Sequence, residues 1–400
     1  MPNLREYLRK KAERKEKKEK ERDFGEMILR HRLAILTRSL FVLGILIGVG
    51  LLFYIQLHNQ VYTGYATISS VDRQQYDSSI CLDYANGFLI YSKDGISYTD
   101  SRGNAMWNQT FEMQNPMVRT AGGRVAVADY NGHIVYSIAQ NGNTAEIDTN
   151  LPVRELAVSE SGMVAAVLED GDTTWIYLYD GQGETFAYQS HTMQKSGYPL
   201  ALALSPDGRL LAVSYLFVES GSMKSSVAFY NFGSVGQNYV DNFVSGADYA
   251  DSVIPELAFM DNNTAFAVGD NRLIIYSGDQ RPRSSAEVFL DEEIQSVFYN
   301  ENYIGLVFLD RTGAGRYRLD LYTTSGLVES SVYFDMDYKD IVLWKGGVII
   351  YNETQCILTN LNGKERFHGE FEKPCLLFSP VSGKRYMAVT RESIDTIEMQ

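Results

Sequence analysis

Residues 200–213 read LALALSPDGRLLAV, and residues 153–168 read VRELAVSESGMVAAVL. In each stretch a short apolar strand leads into a polar turn that contains glycine, and a second apolar strand follows. Both stretches therefore predict the same strand–turn–strand unit. Similar units begin near residues 79, 116, 255, 294, 340 and 374, which makes eight starts in all.

The spacing of the eight units is typical of propeller blades with loop insertions. Each unit supplies three or four strands, and a sheet of that size cannot bury both of its faces alone. Radial packing against its neighbours buries them, which is the architecture of a β-propeller. We predict an all-β fold with eight blades. Seven is the alternative, because long insertions at residues 217–226 and 235–253 blur two boundaries.

The prolines mark the same boundaries. Five of the nine prolines stand directly before the first strand of a unit, namely Pro116, Pro152, Pro199, Pro255 and Pro374. Proline is tolerated at the first residue of a strand and is excluded from its interior. Their shared position therefore supports the predicted phase of the repeat.

The last unit has room for only three strands before residue 400. Residues 65–70, YATISS, form a strand-like run before the first unit. We expect this run to supply the missing outer strand and close the ring, which would bring the strands of Cys81 and Cys375 near each other. Three cysteines, with Cys356 the third, form no disulfide framework and are predicted to be buried thiols. A Cys81–Cys375 disulfide is the alternative.

An uncharged apolar run of 19 residues, SLFVLGILIGVGLLFYIQL, extends from Ser39 to Leu57 and is long enough to cross a bilayer as a helix. It is apolar all round, unlike an amphipathic core helix. A signal peptide would have a shorter leading region and a small-residue cleavage site, and residues 58–62 offer none. The run is therefore predicted to be an uncleaved membrane anchor.

Charge predicts the orientation of this anchor. Residues 1–38 hold 13 Lys and Arg against 7 Asp and Glu, and Arg30, Arg32 and Arg38 lie close to the apolar run. The positive-inside rule then places the N-terminus in the cytoplasm. The predicted order is a basic cytoplasmic helix (1–38), a single span of the plasma membrane (39–57), a stalk (58–64) and an extracytoplasmic propeller (65–400).

The composition of the chain limits the kinds of partner that it is expected to bind. Residues 39–400 hold 43 acidic and 23 basic residues, which argues against a nucleic-acid partner. The lipid bilayer is the predicted partner of residues 39–57. Gly44 and Gly48 form a G-x-x-x-G pattern, for which self-association of membrane helices and plain exposure to lipid are both open interpretations.

Three motifs carry a resemblance to known families. Residues 205–213, SPDGRLLAV, resemble the strand–turn–strand of WD40-like propellers, and residues 100–107, DSRGNAMW, resemble the blade ending of quinoprotein-like propellers. Residues 360–367 are a looser copy of that ending. The whole layout resembles an uncharacterised domain-of-unknown-function family of single-pass propeller proteins in Gram-positive bacteria. The tryptophan motif is complete only once, which argues against a quinone cofactor.

No catalytic, cofactor or metal site is predicted. The sequence has no G-x-S-x-G motif, and its five histidines, predicted to be surface or turn residues, lack metal-ligand spacing. The acidic clusters 169–172, 291–293 and 335–340 do not match a calcium loop, so solvated turns are expected there and a loose Ca²⁺ site is the alternative. The 27 tyrosines are expected mainly in packing between blades, with exposed ones suited to a partner.

The sequence therefore predicts a non-enzymatic scaffold or receptor that binds a protein partner at the cell envelope. Two alternatives stay open. One is a module that binds cell-wall glycan, and the other is a propeller enzyme, either a quinoprotein-like oxidoreductase or a lyase, with its site in the central channel.

Overall fold

The computed structural model describes residues 4–58, 60–73, 79–192, 196–219 and 221–400. The chain divides into two compact units, residues 1–60 and residues 61–400. The first unit is helical and the second consists of β-strands, so each is described by itself.

The first unit is one continuous helix, α1 (Leu4–His58). Its first turns carry an ion pair between Glu6 and Lys10, whose side chains approach to 3.6 Å and stay exposed. Within α1, Met27–Leu51 is long and apolar enough to cross a membrane, and it overlaps the predicted span. The apolar segment of a signal sequence would meet the same criteria of length and composition.

The second unit begins with β1 (Tyr65–Asp72), which belongs to the last blade. The strands of the first four blades follow in groups of four: β2 (Ile80–Tyr84), β3 (Gly87–Tyr91), β4 (Gly95–Asp100), β5 (Ala105–Thr110); β6 (Pro116–Ala121), β7 (Arg124–Asp129), β8 (Ile134–Ala139), β9 (Thr144–Asp148); β10 (Val153–Val158), β11 (Val164–Asp170), β12 (Thr173–Tyr179), β13 (Thr185–Thr192); β14 (Tyr198–Leu204), β15 (Leu210–Glu219), β16 (Ser222–Asn231), β17 (Phe243–Tyr249).

The remaining strands build four more blades, and β1 completes the eighth. They are β18 (Glu256–Phe259), β19 (Thr264–Val268), β20 (Arg272–Ser277), β21 (Arg283–Phe289); β22 (Ile294–Tyr299), β23 (Tyr303–Leu309), β24 (Tyr317–Thr323), β25 (Val328–Phe334); β26 (Asp340–Trp344), β27 (Gly347–Tyr351), β28 (Gln355–Thr359), β29 (Glu365–Glu370); β30 (Cys375–Ser382), β31 (Arg385–Thr390), β32 (Ser393–Met399).

These strands form eight four-stranded antiparallel sheets, and in each blade neighbours in sequence pair with one another. All eight predicted starts coincide with the first strand of a blade, so the eight-bladed propeller is confirmed. The hydrophobic core lies between blades rather than at one centre. Second strands such as β11, whose first five residues VAAVL are fully buried, have both faces covered by neighbouring blades and therefore carry no polar alternation.

The predicted ring closure is also confirmed. In blade eight the strand order is β1-β32-β31-β30, and Tyr65 pairs with Met399 while Asp72 pairs with Ser393. Blades one and eight are neighbours, and a 2.6 Å hydrogen bond from the Ser379 hydroxyl to Asp83 joins their first strands. The cysteines, however, are free thiols and form no disulfide.

The two predicted insertions differ in structure. The first, at residues 217–226, lengthens β15 and β16 into a hairpin of ten residues on each side, which projects beyond its own sheet. The second, at residues 235–253, contains two short 3₁₀ turns, Gly236–Asn238 and Val240–Asn242, followed by the outer strand β17. The first insertion is therefore an extension of two strands, which resembles a loop when only the repeat length is read, whereas the second enlarges the turn before an outer strand.

A glycine turn between the third and fourth strands recurs in five blades. Each glycine has a φ between +76° and +88°, a conformation that L side chains rarely adopt, and each faces the outer strand of the preceding blade. A Cβ on Gly142 would lie 2.8 Å from the Cβ of Trp107. The other four glycines sit in the same way at Gly103, Gly183, Gly326 and Gly363.

Candidate functional site

The propeller has two different faces. The proximal face carries the turns that follow the first and third strands of each blade, and residues 61–64 join the ring on this side. The distal face carries the loops between second and third strands and the connections between blades. Because successive strands are antiparallel, the two sets of loops lie on opposite sides of the ring.

The attachment on the proximal face is firm. Tyr62, within the predicted stalk, is only 6% exposed, and its hydroxyl receives a 2.6 Å hydrogen bond from Arg366. The cations of Arg366 and Lys384 lie 5.0 Å and 5.5 Å from its ring centroid. The amide of Thr63 donates to the carbonyl of Gln400 at 2.8 Å. Residues 61–64 are therefore docked on blades seven and eight.

The resemblance to quinoprotein-like blade endings has a structural counterpart on the proximal face. Asp100 accepts hydrogen bonds from the amides of Arg102 and Asn104 at 2.9 and 2.8 Å, and this fixes the turn before Trp107. The indole of Trp107 donates to the carbonyl of Gln140 in the next blade at 3.1 Å. The motif thus joins adjacent blades.

The distal face concentrates cations stacked on aromatic rings. Of the nine such pairs among the described residues, six lie on this face: Arg154 over Tyr130, Lys224 over Phe217, Arg272 over both Tyr249 and Phe289, Arg316 over Tyr317, and Arg318 over Phe308. Phe289 is 69% exposed and Tyr130 is 44% exposed. Arginine and tyrosine are the side chains that most often anchor protein interfaces.

Carboxylates hold several of these arginines in place. Arg272 donates to Glu287 at 2.8 Å. Arg318 donates to Glu292 at 2.7 Å and to Asp320 at 3.0 Å, and the hydroxyl of Ser331 donates to Asp320 at 2.6 Å. These contacts hold the guanidinium groups in fixed orientations, so less side-chain entropy is lost when a partner binds.

The long hairpin of blade four is the most prominent feature of the distal face. Val218 and Met223 face each other across its tip and are 63% and 55% exposed. Phe217 packs at its base, where Lys224 lies 5.6 Å from the ring centroid. Two exposed apolar side chains at the end of a projecting ribbon form an apolar contact point beside the arginine–aromatic pairs.

A central channel runs between the first strands of the blades. A cavity of about 370 Å³ in this channel is lined by blades two to six and includes Arg119, Glu155, Glu256 and Tyr299. Arg119 donates to Glu155 at 2.7 Å. Burial raises the pKa of Glu256, Arg119 opposes this and the charge of Glu155 adds to it.

The opposite wall of the channel is acidic as well. Burial raises the pKa of Asp83 on β2 and of Asp340 on β26. Asp83 accepts its hydrogen bond from Ser379, and Asp340 accepts from the amide of Ile341 at 2.8 Å and from the Tyr351 hydroxyl at 3.3 Å.

His191 differs from the prediction that the histidines are surface or turn residues. It lies on β13 between blades three and four and is 7% exposed. Its Nε2 is 3.3 Å from the hydroxyl of Tyr215, which is 2.9 Å from that of Tyr230, and Nδ1 has no partner among the described residues. Burial lowers the pKa of His191 to about 4, so the imidazole is neutral at pH 7.

The acidic clusters singled out in the sequence take part in ion pairs. Glu169 pairs with Arg154, Glu292 with Arg318, and Asp337 with Arg316. Across the described ranges, no group of three or more His, Cys, Asp or Glu side chains is placed to hold a metal ion. The buried thiols are unreactive, since burial raises the pKa of Cys375 to about 12.

Trp175, Tyr177 and Tyr188 form an aromatic cluster at the outer rim of blade three. The rings of Tyr177 and Tyr188 stack with centroids 5.3 Å apart, and Trp175 lies 6.0 Å from Tyr188. Tyr188 is 61% exposed. Most other strand-end tyrosines, such as Tyr276 at 2% exposure, pack between blades as predicted.

Fold and surfaces together define an eight-bladed β-propeller with a proximal face on which five blades share one glycine turn and a distal face rich in arginine–aromatic pairs. A family model, described as a family of unknown function (DUF5711), matches residues 58–399, so the chain belongs to that family. A comparison with curated proteins finds no match.

Solved structures share the fold at low identity. Sqt1 of Saccharomyces cerevisiae aligns with a TM-score of 0.54 at 11% identity, over 84% of this chain and 99% of that chain. Apo AztD of Citrobacter koseri aligns with a TM-score of 0.51 at 10% identity, over 74% of this chain and 87% of that chain. Dipeptidyl peptidase 4 of Porphyromonas gingivalis aligns with a TM-score of 0.53 at 11% identity, over 81% of this chain and 58% of that chain. These likenesses show the propeller fold alone.

Proposed function

We propose that this protein is a membrane-anchored, non-catalytic scaffold that binds a protein partner at the cell envelope through its distal face. The observation that carries the proposal is the concentration of six of nine cation–aromatic pairs on that face. Rigid aromatic and arginine side chains with exposed apolar neighbours have the composition of interface hot spots.

The orientation of the anchor is part of the proposal. The basic residues 1–38 favour a cytoplasmic N-terminus and an extracytoplasmic propeller. Protease added to intact protoplasts is expected to degrade the propeller and leave the basic tail protected. If the tail were degraded and the propeller stayed intact, the orientation would be the opposite of the one proposed.

Site-specific crosslinking in intact cells tests the binding face. A photoreactive amino acid in the full-length protein replaces Phe289 or Val218 on the distal face. Matched controls replace Met106, 55% exposed, and Tyr239, 36% exposed, on the proximal side. The distal positions are expected to capture the same envelope protein and the controls are not. Capture through the proximal positions alone would contradict the proposal.

A second candidate function is glycan binding, which the aromatic cluster of blade three favours. Exposed aromatic rings such as Tyr188 present flat apolar faces with a polar tip. Retention of the full-length protein on purified cell wall, lost in Tyr188→Ala and kept in Phe289→Ala, would support this function over the scaffold.

A further inference from the structure

A carboxylate in the channel lacks a direct partner. Glu256 makes no hydrogen bond and no ion pair with any of the described side chains, although it is partly buried at the start of β18. The nearby cation is already engaged, because Arg119 donates to Glu155 at 2.7 Å and to the carbonyl of Val118 at 3.2 Å. A partly buried charge without a direct partner costs stability, and a cation bound beside it would offset that cost.

The surroundings of Glu256 suit a cation. Tyr299 lines the cavity and is 47% exposed. Burial and then the charge of Glu256 raise the pKa of Tyr299, and Arg119 opposes them. The aromatic ring, which packs at 5.0 Å against Phe266, offers a π face to a cation. Asp83 and Asp340 on the opposite strands add negative charge to the same channel.

The channel also supplies neutral acceptors. Each blade begins with an edge strand, and the inner edge of β18 has no neighbouring strand. The backbone carbonyls of such an edge are free to accept hydrogen bonds. An ammonium group carries three donors, which one carboxylate and two carbonyl oxygens can satisfy.

A metal ion fits this site less well. Calcium takes six or more oxygen ligands, whereas the neighbouring carboxylate of Glu155 is already engaged by Arg119 at 2.7 Å. The structure also places no group of three or more potential metal ligands together in the described ranges. An ammonium group needs only one carboxylate and a few neutral oxygens, and the channel supplies both.

We propose that the central channel binds a primary ammonium group at Glu256, in a cavity of about 370 Å³ bounded by Tyr299 and the Arg119–Glu155 ion pair. The ammonium belongs either to a small free amine or to a lysine side chain of a partner protein. The volume lies within the usual range of about 300–1,000 Å³ for ligand sites. This site is separate from the distal face and does not depend on the scaffold proposal.

The test uses the full-length protein in detergent micelles and follows thermal unfolding and calorimetric binding. The probes are 1,4-diaminobutane and the capped peptide acetyl-Gly-Lys-Gly-amide. Succinate and the same peptide with norleucine in place of lysine are the controls. We expect the ammonium probes to raise the unfolding midpoint with increasing concentration and the controls to leave it unchanged. Tighter binding of the peptide would indicate a partner lysine, and tighter binding of the diamine a free amine.

Two variants separate binding from folding. Glu256→Gln is expected to weaken binding of the ammonium probes at least tenfold. It is also expected to raise the unfolding midpoint of the ligand-free protein, because it removes a partly buried charge without a partner. A purely structural glutamate would give a lower midpoint on substitution. Glu301→Gln, on an exposed proximal turn, is the matched control and should change neither quantity.

Three results would overturn the proposal. The first is undiminished binding of the probes to Glu256→Gln, and the second is no binding of the probes to the wild-type protein. The third is stabilisation by Ca²⁺ or Mg²⁺ through Glu256 with no effect of either amine, which would make the channel a metal site.

Discussion

The proximal and distal faces of this propeller are built on different principles. On the proximal face, five blades repeat one glycine turn against the preceding outer strand. On the distal face the loops between second and third strands vary in length, from residues 171–172 in blade three to residues 310–316 in blade six. The repeated face determines how blades assemble, and the varied face is free to differ in what it contacts.

The difference also shows in how charge is used. Distal arginines are held between carboxylates and aromatic rings, as Arg318 is between Asp320 and Phe308. On the proximal face, Arg366 and Lys384 stack on Tyr62 and hold it in place. The predictions below test whether assembly and recognition are separated in this way.

The largest effect is expected from Arg318→Met on the distal face. The side chain of Arg318 is only 16% exposed, and its removal leaves the buried Asp320, 7% exposed, without its cation. Loss of one member of a buried ion pair costs about 3–5 kcal/mol. Chemical denaturation of the full-length protein measures the free energy of unfolding of the propeller.

The matched control for that variant lies two residues away. The side chains of Arg316 and its partner Asp337 are 55% and 72% exposed, so Arg316→Met should cost only about 0–1 kcal/mol. Equal costs for the two variants would show that burial does not distinguish these arginines.

Gly142→Ala should destabilise the proximal face by about 2–4 kcal/mol. The alanine would have to adopt a φ of +86°, and its Cβ would clash with Trp107. Gly313→Ala is the matched control on the distal face. It has a similar φ of +83° but nothing within 4 Å of the added Cβ, so only backbone strain of about 1–2 kcal/mol is expected. Thermal and urea unfolding compare the two variants, and an equal loss would mean that the blade contact contributes nothing.

The next prediction concerns pH. Burial lowers the pKa of His191 to about 4 in the folded state, against an ordinary value near 6.5. Between these values the unfolded chain binds more protons, so stability is complete above about pH 6.5 and falls as the pH drops towards 4. The contribution of this one group amounts to about 3 kcal/mol.

His191→Gln should remove this component of the pH dependence of unfolding. The matched control is His133→Gln, which removes an exposed histidine outside the contact between blades three and four. Parallel stability curves for wild type and His191→Gln would contradict the assignment.

The smallest effect on stability is expected from the double variant Val218→Ser and Met223→Ser at the hairpin tip. Both side chains are exposed, so the free energy of unfolding should change by less than about 0.5 kcal/mol. If the distal face binds a partner, crosslinking to that partner should nevertheless fall. Met106→Ser on the proximal side should alter neither the free energy of unfolding nor the crosslinking. Unchanged crosslinking of the hairpin variant would exclude the hairpin from the proposed interface.

The sequence was sufficient to predict the repeat and the closure of the ring. Alternating apolar residues and prolines such as Pro116 and Pro374 mark the start of blades, and these signals are local. The unpaired strand at residues 65–70 also followed from counting the strands of the last unit.

The surfaces could not be predicted in the same way. Arg272 stacks on Tyr249 of one blade and Phe289 of another, and no local pattern shows that these residues meet. Glu256 looked like an ordinary strand residue, because its lack of a partner appears only when the surrounding strands are in place. The one available signal for His191 was its position in an alternating strand, where burial depends on the neighbouring blade.

The pairing of β1 with β32 also orders events during synthesis. The two strands are the first and the last of the propeller, so a ribosome has made every other blade before β32 can pair with β1. Until then β1 exposes an unpaired backbone edge, which is open to incorrect strand pairing. Contacts so distant in sequence form late and slowly, and completion of blade eight is therefore the final step that turns a row of seven sheets into a ring.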